Sequence, residues 1–139
     1  MIFFIIMDKI IDQNLLESLL SQAKENQRLR VSHDLRTSPE EQSQRMLNAL
    51  MPGTAVAIHR HPNSTEDVLC LHGRLDEIFY NNEGKEIERV QLCPSEGKLG
   101  CVVPKGVWHS IEVYEPSVIY EGKGCKYGED GSEILKVND

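Results

Sequence analysis

The sequence predicts a mainly β domain, one sandwich or barrel preceded by a single α-helix. Two patterns carry that reading. From Gln44 onward the chain runs in short β-type segments separated by Pro-Gly, Pro-Asn-Ser, Asn-Asn-Glu-Gly and Pro-Ser-Glu-Gly. Before that point Ile11, Leu15, Leu16, Leu19, Leu20 and Ala23 recur at three- and four-residue steps, the period of an amphipathic helix. The length of 139 residues, with 40% apolar content, fits one core that needs no disulfide staples.

The helix is expected from Ile10 to about Asn26. The stretch Arg36-Thr37-Ser38-Pro39-Glu40-Glu41 is a polar loop in which Pro39 can open a short helical turn. Strands are expected at 44–50, 54–61, 66–71, 74–80, 86–92, 100–103, 108–114 and 117–122. Eight short strands at this spacing suggest an all-β sandwich or barrel, because each half-buried hairpin must find another sheet to cover its apolar face. The organisation read from this is 1–30 as an N-terminal strand and helix packing on the barrel, 31–127 as the barrel, and 128–139 as a tail that wraps it or frays.

Composition narrows the partners. A formal charge of −7, from 15 basic and 22 acidic residues, repels nucleic acid and anionic lipid surfaces. The apolar start, Met1 to Met7, is far shorter than the ~20 residues of a membrane span and lacks the basic region and cleavage site of a signal peptide. It reads as an extra strand or extended start. Cys70, Cys93, Cys101 and Cys125 form no C-x-x-C pair, so reduced thiols in a cytoplasmic protein are expected.

Two stretches carry chemistry. In the first, Gly53 to Glu66, an extended chain points His59 and His61 to one face and Arg60 to the other. Pro62-Asn63-Ser64-Thr65 then reverses the chain and brings Glu66 back beside the imidazoles, with Gly73 permitting a turn or bulge further on. The second stretch is Pro104-Lys105-Gly106-Val107-Trp108-His109, a tight turn followed by a strand able to aim His109 inward. Three nitrogens and one carboxylate suit one divalent ion of Fe, Mn, Ni, Co or Zn, and leave an octahedral ion positions for a guest.

These stretches match the two cupin motifs, G-x5-H-x-H-x4-E-x6-G and P-x-G-x2-H. The first match is complete; in the second, Lys98 stands where a Gly is expected and Val113 where an Asn often follows. The chain therefore resembles the cupin superfamily, which implies a jelly-roll-like β-barrel with His59, His61, Glu66 and His109 as metal ligands. More narrowly, Gln44 to Leu50, Pro52-Gly53, His59 to Pro62, Gly73-Arg74-Leu75, Trp108-His109-Ser110 and Tyr120 to Lys123 are similar to the WbuC-type small cupin-fold metalloproteins. That resemblance covers about Ile10 to Tyr127. It implies a bacterial protein, in some cases encoded among polysaccharide (O-antigen) assembly genes, and brings no settled reaction.

Other residues are weighed against blander roles. His33 and His72 are lone histidines, read as solvated or hydrogen-bonded. Cys70 shares strand parity with Glu66 and is read as core. Arg45 and Glu121 are the candidate catalytic residues, Arg45 as a clamp for a carboxylate or phosphate and Glu121 as a base. Tyr120 is also within reach of the motifs, and Trp108 is either pocket wall or core. Met46 and Leu50 are read as interior packing, with Asn48 as a polar handle at the mouth. The expectation is a mononuclear metalloenzyme acting on a small molecule, such as a sugar or sugar nucleotide, by isomerase, lyase or oxygenase chemistry. The alternative is a non-catalytic metal-dependent binding module. A homodimer is expected from the pairing habits of such barrels.

Overall fold

The computed structural model describes residues 9–125 and 129–136. The expected strand at the extreme N-terminus lies outside the described residues. Helix α1 spans Gln13–Glu25, starting later than the periodicity suggests because Asp12 caps it, its carboxylate accepting from the Leu15 amide at 2.9 Å. Ile10 and Ile11 are left exposed ahead of it. Strands follow at β1 (Arg30–Asp34), β2 (Gln44–Leu50), β3 (His59–Arg60), β4 (Glu66–Tyr80), β5 (Glu86–Leu92), β6 (Gly100–Val103), β7 (Trp108–Lys123) and β8 (Glu133–Ile134). All the pairings are antiparallel, and the eight strands form one sheet. The sheet curls into a half-barrel, mainly β with one N-terminal α-helix among the described residues, as the sequence predicts.

β4 and β7 are the spine. β7 pairs with β4 along most of its length, and its other edge takes β2 near one end and β3 near the other. What the sequence divides into four strands is thus two long ones, bent by register shifts at Cys70, His72 and Arg74. Gly73 makes the bend: its φ is +95°, and a Cβ there would lie 2.3 Å from the Pro116 carbonyl oxygen. The bulge also changes side-chain parity. Glu66, Val68 and Cys70 face inward before it, and Leu75, Glu77 and Phe79 after it, as their inward partners Lys123, Glu121, Ile119, Val113, Ile111 and His109 record.

Two apolar clusters result. The barrel interior holds Leu50, Val68, Cys70, Leu75, Phe79, Leu92, Val103, Val113 and Ile119. The other lies on the outer face, where Leu16, Leu19 and Ala23 of α1 cover Leu47 and Ala49 of β2 and Val118 of β7. Cys70 is in the interior as expected, with burial pushing its thiol up to about 11. All four cysteines are free.

Two sequence expectations need correction. The segment 54–58 is not strand; only His59–Arg60 pairs, because no neighbouring strand runs beside the residues before it. Over β1 the sequence suggests no strand, since Arg30-Val31-Ser32-His33-Asp34 carries one apolar residue in five. It nevertheless pairs with β2 along its whole length. The tail also adds a strand, β8, against β3.

Candidate metal centre

The inward faces of β3, β4 and β7 converge at one end of the barrel. His59 and His109 are directly paired across β3 and β7, and His61 follows two residues later on the same side as His59. The ring centroids lie 4.2 Å apart for His59 and His109, 5.0 Å for His59 and His61, and 5.2 Å for His61 and His109. One ring nitrogen from each falls within 4.8 Å of the other two. Glu66 reaches this group through two of its members, its oxygens being 3.3 Å from His61 Nε2 and 4.0 Å from His109 Nε2.

The outer nitrogens are occupied. His59 Nδ1 is 2.8 Å from the Ala57 carbonyl oxygen and His109 Nδ1 is 2.9 Å from that of Val107, contacts that require the proton on Nδ1. His61 Nδ1 lies 2.7 Å from Ser132 Oγ and 3.0 Å from Asp130 Oδ2. The Nε2 atoms are thereby left as lone-pair donors facing inward. Burial lowers the pKa of all three imidazoles, that of His109 to about 3, so they remain neutral at pH 7.

Buried polar atoms without partners test whether the set fits a cation. His61 Nε2, His109 Nε2, Glu66 Oε2 and both carboxyl oxygens of Glu77 are buried and make no hydrogen bond. Unpaired groups of this kind are costly unless an ion or proton satisfies them. Neutral imidazoles and carboxylates are donors for a borderline divalent metal, so the residues present fit one. Glu77 forms a second group with Glu66 and His109, again within 4.8 Å. Burial and then the Glu66 and Glu121 carboxylates push its pKa well above the usual carboxylate range. Burial raises Glu66 too.

Around these groups stands a support layer. Lys123 Nζ is 2.9 Å from Asp130 Oδ2 and 3.8 Å from Glu66 Oε2. Burial alone would raise Asp130, but Lys123 and the Ser132 hydroxyl and amide hold it at about 2. Glu121 accepts from Asn48 Nδ2 at 2.6 Å, and Asn48 in turn accepts from Ser32 Oγ at 2.5 Å. Burial, with the neighbouring Glu66 carboxylate, pushes Glu121 up to about 8.

His59, His61, His109, Glu66, Glu77, Glu121 and Lys123 line a cavity of about 700 Å³ whose walls also include residues of β1, β2 and β8. Arg45 is not brought there. Strand alternation turns Gln44, Met46, Asn48 and Leu50 toward the cavity and Arg45 the other way, where it pairs with Glu41. Tyr120 likewise faces outward and packs under α1. Trp108 is buried outside the cavity, with the Arg60 guanidinium 4.3 Å from its ring centroid and its Nε1 donating to Asn82. His33 and His72 stay away from the group.

Glu77, Lys123, Asp130 and Ser132 join the site without a motif to announce them. Glu77 has a faint trace in sequence, a carboxylate alternating with Leu75 and Phe79. Asp130-Gly131-Ser132 carries only a turn signature, and Gly131 does adopt a φ of +73°.

The fold is that of the cupins. The chain belongs to the family described as "Domain of unknown function (DUF6016)", whose model matches residues 11–92. Comparison with curated proteins gives no match. Among solved structures, CapF with the inhibitor 3-isopropenyl-tropolone is similar at a TM-score of 0.63 and 21% identity, over 76% of this chain and 31% of that one. CapF is elsewhere described as a capsular polysaccharide assembling protein from Staphylococcus aureus. TT1209 from Thermus thermophilus gives 0.62 and 22%, over 84% of this chain and 97% of the other. Oxalate oxidase with the substrate analogue glycolate gives 0.60 and 16%, over 93% and 67%. This chain thus spans about a third of CapF, and at these identities the likeness is one of fold. Among the described residues no helix is long and apolar enough to cross a membrane.

Proposed function

We propose that this protein is a mononuclear metal-dependent cupin of the WbuC type that acts on a small polar molecule. His59, His61 and His109, through their Nε2 atoms, and the Glu66 carboxylate are the residues that would hold the ion. The observation that carries this is the set of buried His61 Nε2, His109 Nε2 and Glu66 Oε2 atoms that make no hydrogen bond and meet at one end of the cavity. A divalent ion in such a set supplies Lewis acidity toward a carbonyl or hydroxyl oxygen.

The chain's own residues do the rest. Asp130 and Ser132 fix the His61 ring, while the Ala57 and Val107 carbonyls fix the other two. Glu121, on the cavity wall with its carboxyl held by Asn48, is assigned to proton transfer at the bound molecule. Leu50 and Ile111 narrow the cavity with apolar surface. The volume falls within the range of small-molecule sites and suits a guest such as a sugar or sugar nucleotide.

Elemental analysis of protein purified without a metal-affinity tag tests the reading. One ion per chain is expected, lost in His59→Ala and His109→Ala variants that keep the wild-type circular dichroism. Protein that takes up none of Fe, Mn, Co, Ni or Zn at stoichiometry would overturn it.

A further inference from the structure

The cavity wall contributed by the α1–β1 turn and β1 carries Arg28, Arg30 and Ser32. Arg36, Arg45, Arg60 and Arg89 each meet a carboxylate. Among the described residues no ion pair joins Arg28, Arg30 or Arg74 to a carboxylate, although the chain has 22 acidic side chains against 15 basic ones, and of these three only Arg28 and Arg30 line the cavity. The other cations and anions near them are already engaged: Lys123 with Asp130, Glu133 with Arg60, and Glu121 with Asn48. Depth separates the two kinds of charge. Glu66 and Glu77 lie on the buried floor, at 2% and 0% exposure, whereas Arg28 is exposed and Arg30 half-buried at the rim.

The backbone beneath the two arginines is fixed in a conformation that a branched side chain disfavours. Leu29, between them, has φ +58°, the only positive φ outside glycine among the described residues. Four hydrogen bonds hold it there. The Arg28 amide donates to Asn26 Oδ1 at 2.8 Å, the Arg28 carbonyl accepts from Thr54 Oγ1 at 2.8 Å, the Leu29 amide donates to the Asn26 carbonyl at 2.9 Å, and the Leu29 carbonyl accepts from the Met51 amide at 2.9 Å. Strain over-determined in this way is common where side chains are presented to a ligand.

We propose that Arg28 and Arg30 form an anion-binding rim that takes a phosphate group of the small molecule whose other end lies at the histidine cluster. This rests on the reading of the cavity as a small-molecule site. One guanidinium suffices to fork onto the two oxygens of a carboxylate, whereas two together match the additional oxygens and charge of a phosphate. The shared chemistry is a phosphoryl oxyanion, carried on a monoester or a diphosphate.

Isothermal titration of the full chain with inorganic phosphate, pyrophosphate and acetate tests the rim. It is run on protein as purified and again after chelation, so that pyrophosphate cannot act by extracting an ion. Saturable one-to-one binding of phosphate or pyrophosphate is expected, with acetate weaker. Tighter phosphate points to a monoester and tighter pyrophosphate to a diphosphate. Arg28→Ala and Arg30→Ala should each weaken binding about tenfold, while Arg30→Lys retains part of it. Arg74→Ala, which removes an arginine outside the cavity, should leave it unchanged. Absence of saturable binding, or binding that survives the double Arg28→Ala, Arg30→Ala substitution in protein of native circular dichroism, would overturn the proposal. Should Arg30→Ala fail to fold, Arg30→Gln and Arg28→Ala decide it on the same terms. Metal content is read separately, so an intact anion site without metal sinks only the metal reading, and the converse sinks only the rim.

Discussion

Asp130 sits where one carboxylate faces two buried nitrogens, the Lys123 ammonium and Nδ1 of the neutral His61 ring. A carboxylate behind a metal-binding imidazole fixes its orientation and raises its basicity. Asp130→Asn keeps the shape and removes the charge. It is expected to weaken metal affinity about 10–100-fold, measured by competition with a chromophoric chelator; unchanged affinity would mean that the ring is positioned without it. The histidines and Glu66 are legible in the sequence because i and i+2 spacing on an extended chain is itself geometry. Lys123 and Asp130 are not, since nothing local distinguishes them from surface charges; pairing of β7 with β4 sets Lys123 beside Glu66, and the tail, returning across β3, carries Asp130 to it. Arg45 departs from its expected place for a related reason: its proximity in sequence to the motifs is visible, but the face of β2 on which it falls is settled by α1 covering Leu47 and Ala49.

At the scale of elements, β2, β5 and β6 fall where the sequence puts them, because their alternation is bracketed by turn residues on either side. β1 is hidden because its cavity-facing residues are polar, so the alternation that marks a half-buried strand is missing. β4 and β7 each look like a pair of strands because a glycine bulge and a bend resemble turns in one dimension. Gly73→Ala tests the bulge. The added Cβ would meet the Pro116 carbonyl oxygen at 2.3 Å in a backbone of φ +95°. A loss of about 2–5 kcal/mol in urea denaturation is expected, and with it a loss of bound metal; a variant of wild-type stability would show that the bend accommodates a side chain.

For the whole molecule, the candidate centre draws donors from β3, β4 and β7 and supports from β2 and the tail, so an ion bound there binds only the folded chain. Mass action then links metal to stability. An ion present at about 100 times its dissociation constant adds about 2.7 kcal/mol. For a domain of this size, chelation is expected to lower the melting temperature by about 10 °C, and re-addition of the same ion to restore it. Scanning calorimetry with and without chelator reads this directly; removal of a stoichiometric ion with no shift would show that the centre is not coupled to folding.

The parity change at Gly73 has a consequence for how such a chain can vary. Glu66 and Glu77 stand an odd number of positions apart, so an unbroken strand would point one of them into solvent. A one-codon deletion or duplication anywhere between them would invert one half of β4 while sparing the other. Side-chain exchange within this stretch is therefore tolerable in ways that a change of length is not, and surviving length variants should come with a compensating shift in the opposing stretch of β7.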